Sequence, residues 1–273
     1  MNKSNRDLQE YHEQHMTDGQ DCLFDLEEGR LRVRPEQRHW LKAHLKKMMR
    51  MLDLESTDQF IDLGCGEGYF TLPLSRQAAH SVGVDFAATA LKVVKEQPGY
   101  EQRKLSLVIA SGESIPLADA SVDKLLCNHI LEHVLDDDTV MQEVHRIVRP
   151  CGLVLIGVPL ELGPQIRFVL FLRRLFFPRA RQLQLERARP GRLVPELVGH
   201  SSHVRFYSFQ ALHHLLARNG LRVLRTEGIG LSLRGRPAAI FRRNGLLFWL
   251  GTVFGYIFPS IGAGVLMLAE RIP

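Results

Sequence analysis

Apolar and polar positions change period in a regular rhythm along the chain. Short, mostly apolar runs at Gln59–Leu63, His80–Val84, Leu105–Ala110, Lys124–Asn128 and Leu153–Val158 predict strands. Between them apolar residues recur at helical spacing and predict helices over Tyr69–Arg76, Thr89–Gln97 and Asp137–Val148. Upstream, Pro35 opens a further helix to Leu52, with Trp40, Leu41, His44, Leu45, Met48 and Leu52 on one face. Strand alternating with helix is the pattern of the α/β class: a parallel sheet covered by helices on both faces. In such a sheet a ligand lies beyond the carboxyl ends of the strands, where the strand order reverses.

Three stretches stand outside the rhythm. Residues 1–33 read as a polar, mobile arm, with no secretory signal in Met1–Asp21. Tyr11, His12 and His15 are the arm residues able to close over a pocket. Residues 159–202 read as an insertion holding Ile166–Phe177, followed by Arg179, Arg181, Arg187, Arg189 and Arg192. It suits either a cap helix over the site or a basic amphipathic helix on a membrane surface. Asn244–Ala269 runs for 26 residues without a charge, long enough for a membrane span, but Pro259 and five glycines interrupt it. The expected reading is a helix over Leu246–Phe258 and a last strand at Gly264–Ala269, antiparallel beside Leu221–Thr226. The expected division is an arm and cap helix (1–52), a core (53–158), the insertion (159–202) and a C-terminal completion of the core (203–273).

The chemistry concentrates at Phe60–Phe70, where an apolar strand carrying Asp62 turns through Gly64, Gly66 and Gly68 into a helical stretch. Glycines there let a ligand approach bare backbone. Asp85 closes the next strand, about 20 residues on, where an acid suits the two hydroxyls of a ribose. A dinucleotide site wants a wider glycine spacing and a helix N-terminus for its pyrophosphate. The tighter spacing here, with Asp62 upstream, favours a cationic nucleoside, and S-adenosylmethionine fits.

From Gln59 to Gly220 the chain resembles the class I S-adenosylmethionine-dependent methyltransferases, in their small-molecule, type 11-like branch. The resemblance rests on Ile61–Phe70, Val82–Asp85, Glu113–Leu117 with Ser121–Asp123, Leu131–Val134, Glu143–Gly152, and His203–Ser208 followed by Leu212, Leu215, Gly220 and Leu221. It implies a Rossmann-like, doubly wound α/β fold: a seven-stranded, mostly parallel sheet with an antiparallel last strand. It also implies that Asp62 and the backbone of Gly64, Cys65, Gly66 and Gly68 hold the methionine end of the cofactor. Asp85 takes the ribose, Phe86 packs on the adenine, and Ser111, Gly112 and Glu113 lie beside it. The family usually has an aspartate where Ser111 stands; serine accepts the adenine bond more weakly. Asn128 and His129 face the sulfonium.

Methyl transfer is an in-line displacement that depends on alignment and exclusion of water, with a base only where the acceptor loses a proton. His129, His133, His203 and Tyr207 are the candidates to address the acceptor, with His129 as base or orienting donor. Glu132 and His133 resemble a helix start of the family, where structural hydrogen bonding is the competing role. His213 and His214 read as structural or surface residues.

Composition narrows the partner. With 273 residues, 45% of them hydrophobic, the chain has ample material for one α/β core. Cys22, Cys65, Cys127 and Cys151 are scattered without metal or redox spacing, which suits reduced thiols in the cytoplasm and no metal site. Residues 1–150 hold 18 basic and 25 acidic residues; residues 151–273 hold 17 arginines, no lysine and 5 glutamates. A basic half beside apolar stretches suits an anionic surface, membrane or nucleic acid. Against nucleic acid, Cys127–Ile130 lacks the prolines of base-amine methyltransferases, and Cys151 reads as a glycine replacement in the turn before the fifth strand. The expected acceptor is a small, hydrophobic or lipid-linked molecule methylated at oxygen or carbon, reached from the cytoplasm or from the inner membrane face. A soluble metabolite is the alternative, and a non-enzymatic cofactor-fold protein the least favoured.

Overall fold

Alternating apolar residues on each strand split between two faces of a single twisted sheet. The computed structural model describes residues 24–25, 30–31, 35–97, 100–101, 103–160, 190–194, 203–229 and 264–273. The expected arm residues Tyr11, His12 and His15, the insertion helix at 166–177 and the helix at 246–258 lie outside them. The strands are β1 (Gln59–Leu63), β2 (His80–Asp85), β3 (Leu105–Ile109), β4 (Val122–Asn128), β5 (Val148–Pro159), β6 (Leu221–Ile229) and β7 (Gly264–Arg271). They stand in the order β3-β2-β1-β4-β5-β7-β6. The first five strands pair parallel, and β7 runs antiparallel between β5 and β6. This is the expected seven-stranded Rossmann-like sheet. A two-residue strand pair, Phe24–Asp25 with Arg30–Leu31, stands apart from it.

The helices are α1 (Pro35–Leu52), α2 (Thr71–Leu74), α3 (Ala88–Lys95), α4 (Asp137–Ile147) and α5 (Phe209–Arg218). Ile61, Leu63, Leu125, Cys127, Val154, Ile156, Val265 and Met267 face the core cluster shared with Val140, Val144, Leu212 and Leu216 of α4 and α5. Their neighbours Phe60, Leu126, Leu155, Leu266 and Leu268 face the opposite cluster, with Met48, Met51 and Leu52 of α1. Period-two alternation in the strands therefore feeds two helix layers at once. α1 is further pinned to β6: Lys47 Nζ donates to the Gly228 carbonyl at 2.7 Å, and Arg50 meets the buried Glu227 carboxylate at 2.6 Å.

Boundaries shift where local chemistry intervenes. The helix expected over Tyr69–Arg76 is only Thr71–Leu74; Pro73 has no N–H for the Tyr69 carbonyl, which delays its start. β5 starts five residues earlier than its apolar run and includes Pro150–Gly152. Cys151 there has φ +64 and is exposed, the left-handed backbone for which glycine is best suited. Leu131–His133 forms a turn, and α4 begins only at Asp137, where the Asp136 side chain accepts from Asp138 N and Thr139 N.

Candidate active site

The strand order reverses between β1 and β4, which pair in register from Phe60↔Lys124 to Leu63↔Cys127. Their carboxyl ends thus deliver the glycine turn and Asn128–His129 to one place. Gly64 N and Cys65 N donate to the Val84 carbonyl at 2.7 and 3.0 Å, which ties the turn to β2. Gly64 has φ +68, and a Cβ there would lie 2.5 Å from the Ile130 side chain. Gly68 has φ +78 and closes on Val94 of α3. Gly66 also has a positive φ, +49, but a Cβ there would meet nothing within 4 Å among the described residues. The middle of the turn therefore presents bare backbone to open space.

Two acids flank that turn. Asp85 is buried and accepts from Gly66 N at 2.8 Å and from Ala87 N at 2.9 Å, so it sets the shape of the turn as it faces it. Burial raises its carboxyl above the ordinary range, against the pull of those backbone donors. Asp62 is buried under the turn, and Thr71 Oγ1 donates to it at 2.5 Å. Burial lifts its carboxyl to about 7; the Thr71 bond opposes this and the nearby Asp85 charge adds to it. Among the described residues neither acid forms an ion pair. Cys65 is buried, and its thiol is pushed well up by burial, so it is an inert wall of the turn. Phe86 is half-buried after Asp85; Ser111 is exposed beyond β3, its hydroxyl accepting from Glu113 N at 3.2 Å, with Gly112 between them.

The β4 end carries the proton chemistry. His129 has φ +58, a conformation histidine tolerates better than most residues. Its Nδ1 lies 2.8 Å from Glu132 Oε1, and its Nε2 is buried with no hydrogen-bond partner among the described residues. Glu132 is fully buried. Burial alone would raise its carboxyl, but the His129 bond and the His129 and His133 charges outweigh that and hold it below the usual value. A proton on Nδ1 facing this carboxylate leaves Nε2 as the basic lone pair. α1 adds His44, buried, with Nε2 3.4 Å from Asn128 Oδ1 and its ring 6.3 Å from that of His129. Burial, then the neighbouring His129, pushes His44 down to about 3, so it stays neutral. Asn128 is held close: a Cβ on Gly157 would lie 2.1 Å from Asn128 Oδ1.

The structure therefore gathers Asp62, the glycine turn, Asp85, Asn128 and His129 at the strand ends. His133 and His203 lie together behind Glu132, their rings edge to face with centroids 5.0 Å apart. Tyr207 is withdrawn: it is fully buried and its hydroxyl donates to Asp137 Oδ2 at 2.7 Å. Tyr207, expected to address the acceptor, thus has its hydroxyl on a core carboxylate that Arg205 also meets at 3.2 Å. Thr71 and His44 had no assigned role in the sequence reading. A threonine opening the helix after the turn, and a histidine on an otherwise apolar helix face, were their only signals. A separate mixed-charge cleft of about 560 Å³ lies between Asp136–Asp138, Pro190–Leu193 and Arg218, and none of its lining residues belongs to this site.

A doubly wound sheet of this order, with a glycine turn after β1 and an acid after β2, defines a class I methyltransferase-like Rossmann domain. Residues 61–156 match the model of a methyltransferase domain family. A probable S-adenosylmethionine-dependent methyltransferase of Mycolicibacterium smegmatis is 29% identical over 125 residues, 45% of this chain and 47% of that protein. A ubiquinone biosynthesis O-methyltransferase of Brucella ovis is 30% identical over 99 residues, 36% of this chain and 40% of that protein. The chain thus spans less than half the length of these curated relatives. A putative methyltransferase from Bacillus halodurans shares the fold, with a TM-score of 0.58 at 14% identity over 85% of this chain and 100% of that one. Among the described residues no helix is long and apolar enough to cross a membrane.

Proposed function

We propose that the protein is an S-adenosylmethionine-dependent methyltransferase acting on a small, apolar or lipid-linked acceptor, at an oxygen or carbon that gives up a proton. One observation carries the cofactor half of this reading. Two buried carboxylates, without ion pairs among the described residues, flank a glycine whose backbone opens onto free space. Such a site suits a ligand that is a nucleoside and a cation at once. Asp85 would hold the ribose hydroxyls; Phe86 and the loop Ser111, Gly112, Glu113 would border the adenine. Asp62 and the backbone of Gly64, Cys65, Gly66 and Gly68 would hold the methionine end. When bound, the cofactor supplies a methyl group on positively charged sulfur.

The chain's own residues do the rest. His129 takes the acceptor's proton at Nε2, while Glu132 holds the Nδ1 proton and steadies the imidazolium that results. His44, neutral and buried, walls off water beside Asn128 without adding a positive charge near the cofactor. The likeness to a ubiquinone O-methyltransferase supports an acceptor of quinone-like character. The arginine-only second half supports peripheral contact with an anionic membrane face, reached from the cytoplasm. The test is to incubate the protein with methyl-labelled cofactor and a lipid extract of its host. Label is expected in a lipid product, with none when Asp85→Ala replaces the protein. Label confined to water-soluble products overturns the acceptor half; no calorimetric binding of S-adenosylmethionine overturns the whole.

A further inference from the structure

We propose that Glu132, His133 and His203 form a binding site for one divalent transition-metal cation, behind His129 and distinct from the cofactor cleft. The three come from two segments that the fold clamps together: Val204 N and Arg205 N both donate to the Glu132 carbonyl, at 2.9 and 3.2 Å. Their ligand atoms all lie within 4.8 Å of one another, with Glu132 Oε1 3.9 Å from His133 Nε2. The His133 and His203 rings stand edge to face at 82°, with centroids 5.0 Å apart.

Glu132 supplies a second, independent observation. It is fully buried; Oε1 is taken by His129, while Oε2 is buried with no hydrogen-bond partner among the described residues. A buried carboxylate oxygen left without a donor is costly, and a cation held by this carboxylate reduces that cost. Two imidazoles and one carboxylate are the donor set of borderline cations such as Zn²⁺, Fe²⁺ and Mn²⁺, with positions left open for water. Mg²⁺ and Ca²⁺ prefer oxygen-only shells. The His129 Nδ1 bond to Oε1 then orients the ligating carboxylate from outside. The acidic trio Asp136–Asp138 offers no comparable site: Asp136 caps α4, Asp137 serves Tyr207 and Arg205, and Asp138 is paired with Arg218.

Glu132 serves both the metal and His129, but metal content is read without turnover, so metal binding and methyl transfer are tested separately. Full-length protein stripped with chelator and dialysed against Zn²⁺ or Mn²⁺ is measured for metal content and by competition with a chromophoric chelator. About one equivalent per chain is expected, with affinity weakened at least about tenfold by His133→Ala and by His203→Ala and unchanged by Cys151→Ser. Circular dichroism checks folding of each variant. If His203→Ala unfolds, His203→Cys decides: a thiolate ligand keeps Zn²⁺ and loses Mn²⁺, whereas loss of both overturns the site. Wild-type metal at background, or metal binding indifferent to both histidine variants, overturns it as well.

Discussion

Asp62 sets folding against binding. Its carboxyl is raised from 3.8 to about 7 by burial, a shift worth roughly 4 kcal/mol. The folded chain holds this proton more tightly than the unfolded chain, so ionised Asp62 destabilises the fold. The stability that protonated Asp62 contributes is fully present below about pH 4 and is lost as the pH rises through about 7. Asp62→Asn, which can still accept from Thr71, is therefore expected to melt higher than the wild type at pH 8 and equally at pH 4. It is also expected to lose affinity for S-adenosylmethionine. Thermal melts at the two pH values check the first, calorimetry the second; a lower melting point at pH 8 removes the conflict. Gly66 gives the complementary case. Its Cβ space is free but its φ is +49, so Gly66→Ala is expected to cost about 1 kcal/mol of stability while weakening cofactor binding about tenfold or more. Unchanged binding would remove the turn from the site. Asp62, Asp85 and the glycines were legible in the sequence because each marks a local backbone event at a strand end. His44 was not, since its meaning depends on Asn128, 84 residues away.

At the scale of elements, the turn after β4, α4 and the 203–207 segment form one polar knot inside an apolar core. Tyr207 bonds Asp137, Arg205 meets Asp137 and donates to the Gly191 and Leu135 carbonyls, and Glu132 receives both backbone donors from the segment. Tyr207→Phe leaves a buried carboxylate short of one donor and is expected to cost about 1–3 kcal/mol in denaturant unfolding. Cofactor affinity and turnover are expected to stay as they are at a temperature where the variant is folded. Turnover lost at unchanged stability would return Tyr207 to the acceptor. Periodicity predicted α1 from Pro35 to Leu52 and placed the helices α3 and α4 within two residues, because an apolar stripe is written in consecutive turns. It overran α2 because Pro73 acts through hydrogen bonding, which hydropathy does not register.

At the scale of the whole molecule, charge and hydropathy are segregated along the chain. The 17 arginines of residues 151–273 face only 5 glutamates, beside the uncharged run 244–269. Binding to vesicles rich in phosphatidylserine is expected at low salt and is expected to fall steeply near 1 M, where screening shortens to about 3 Å. No sedimentation with such vesicles at low salt would remove the membrane reading. The sequence by itself determined the α/β class and the glycine turn, because periods of two and 3.6 and the freedom of glycine are local properties; the antiparallel last strand beside β6 followed from the family resemblance. Only the tertiary structure decided which polar side chains share a space. It drew Tyr207 into the core, set His44 beside Asn128 and brought His203 to Glu132 and His133. Those groupings join positions about 70 or more residues apart, through a sheet order that no window of sequence contains.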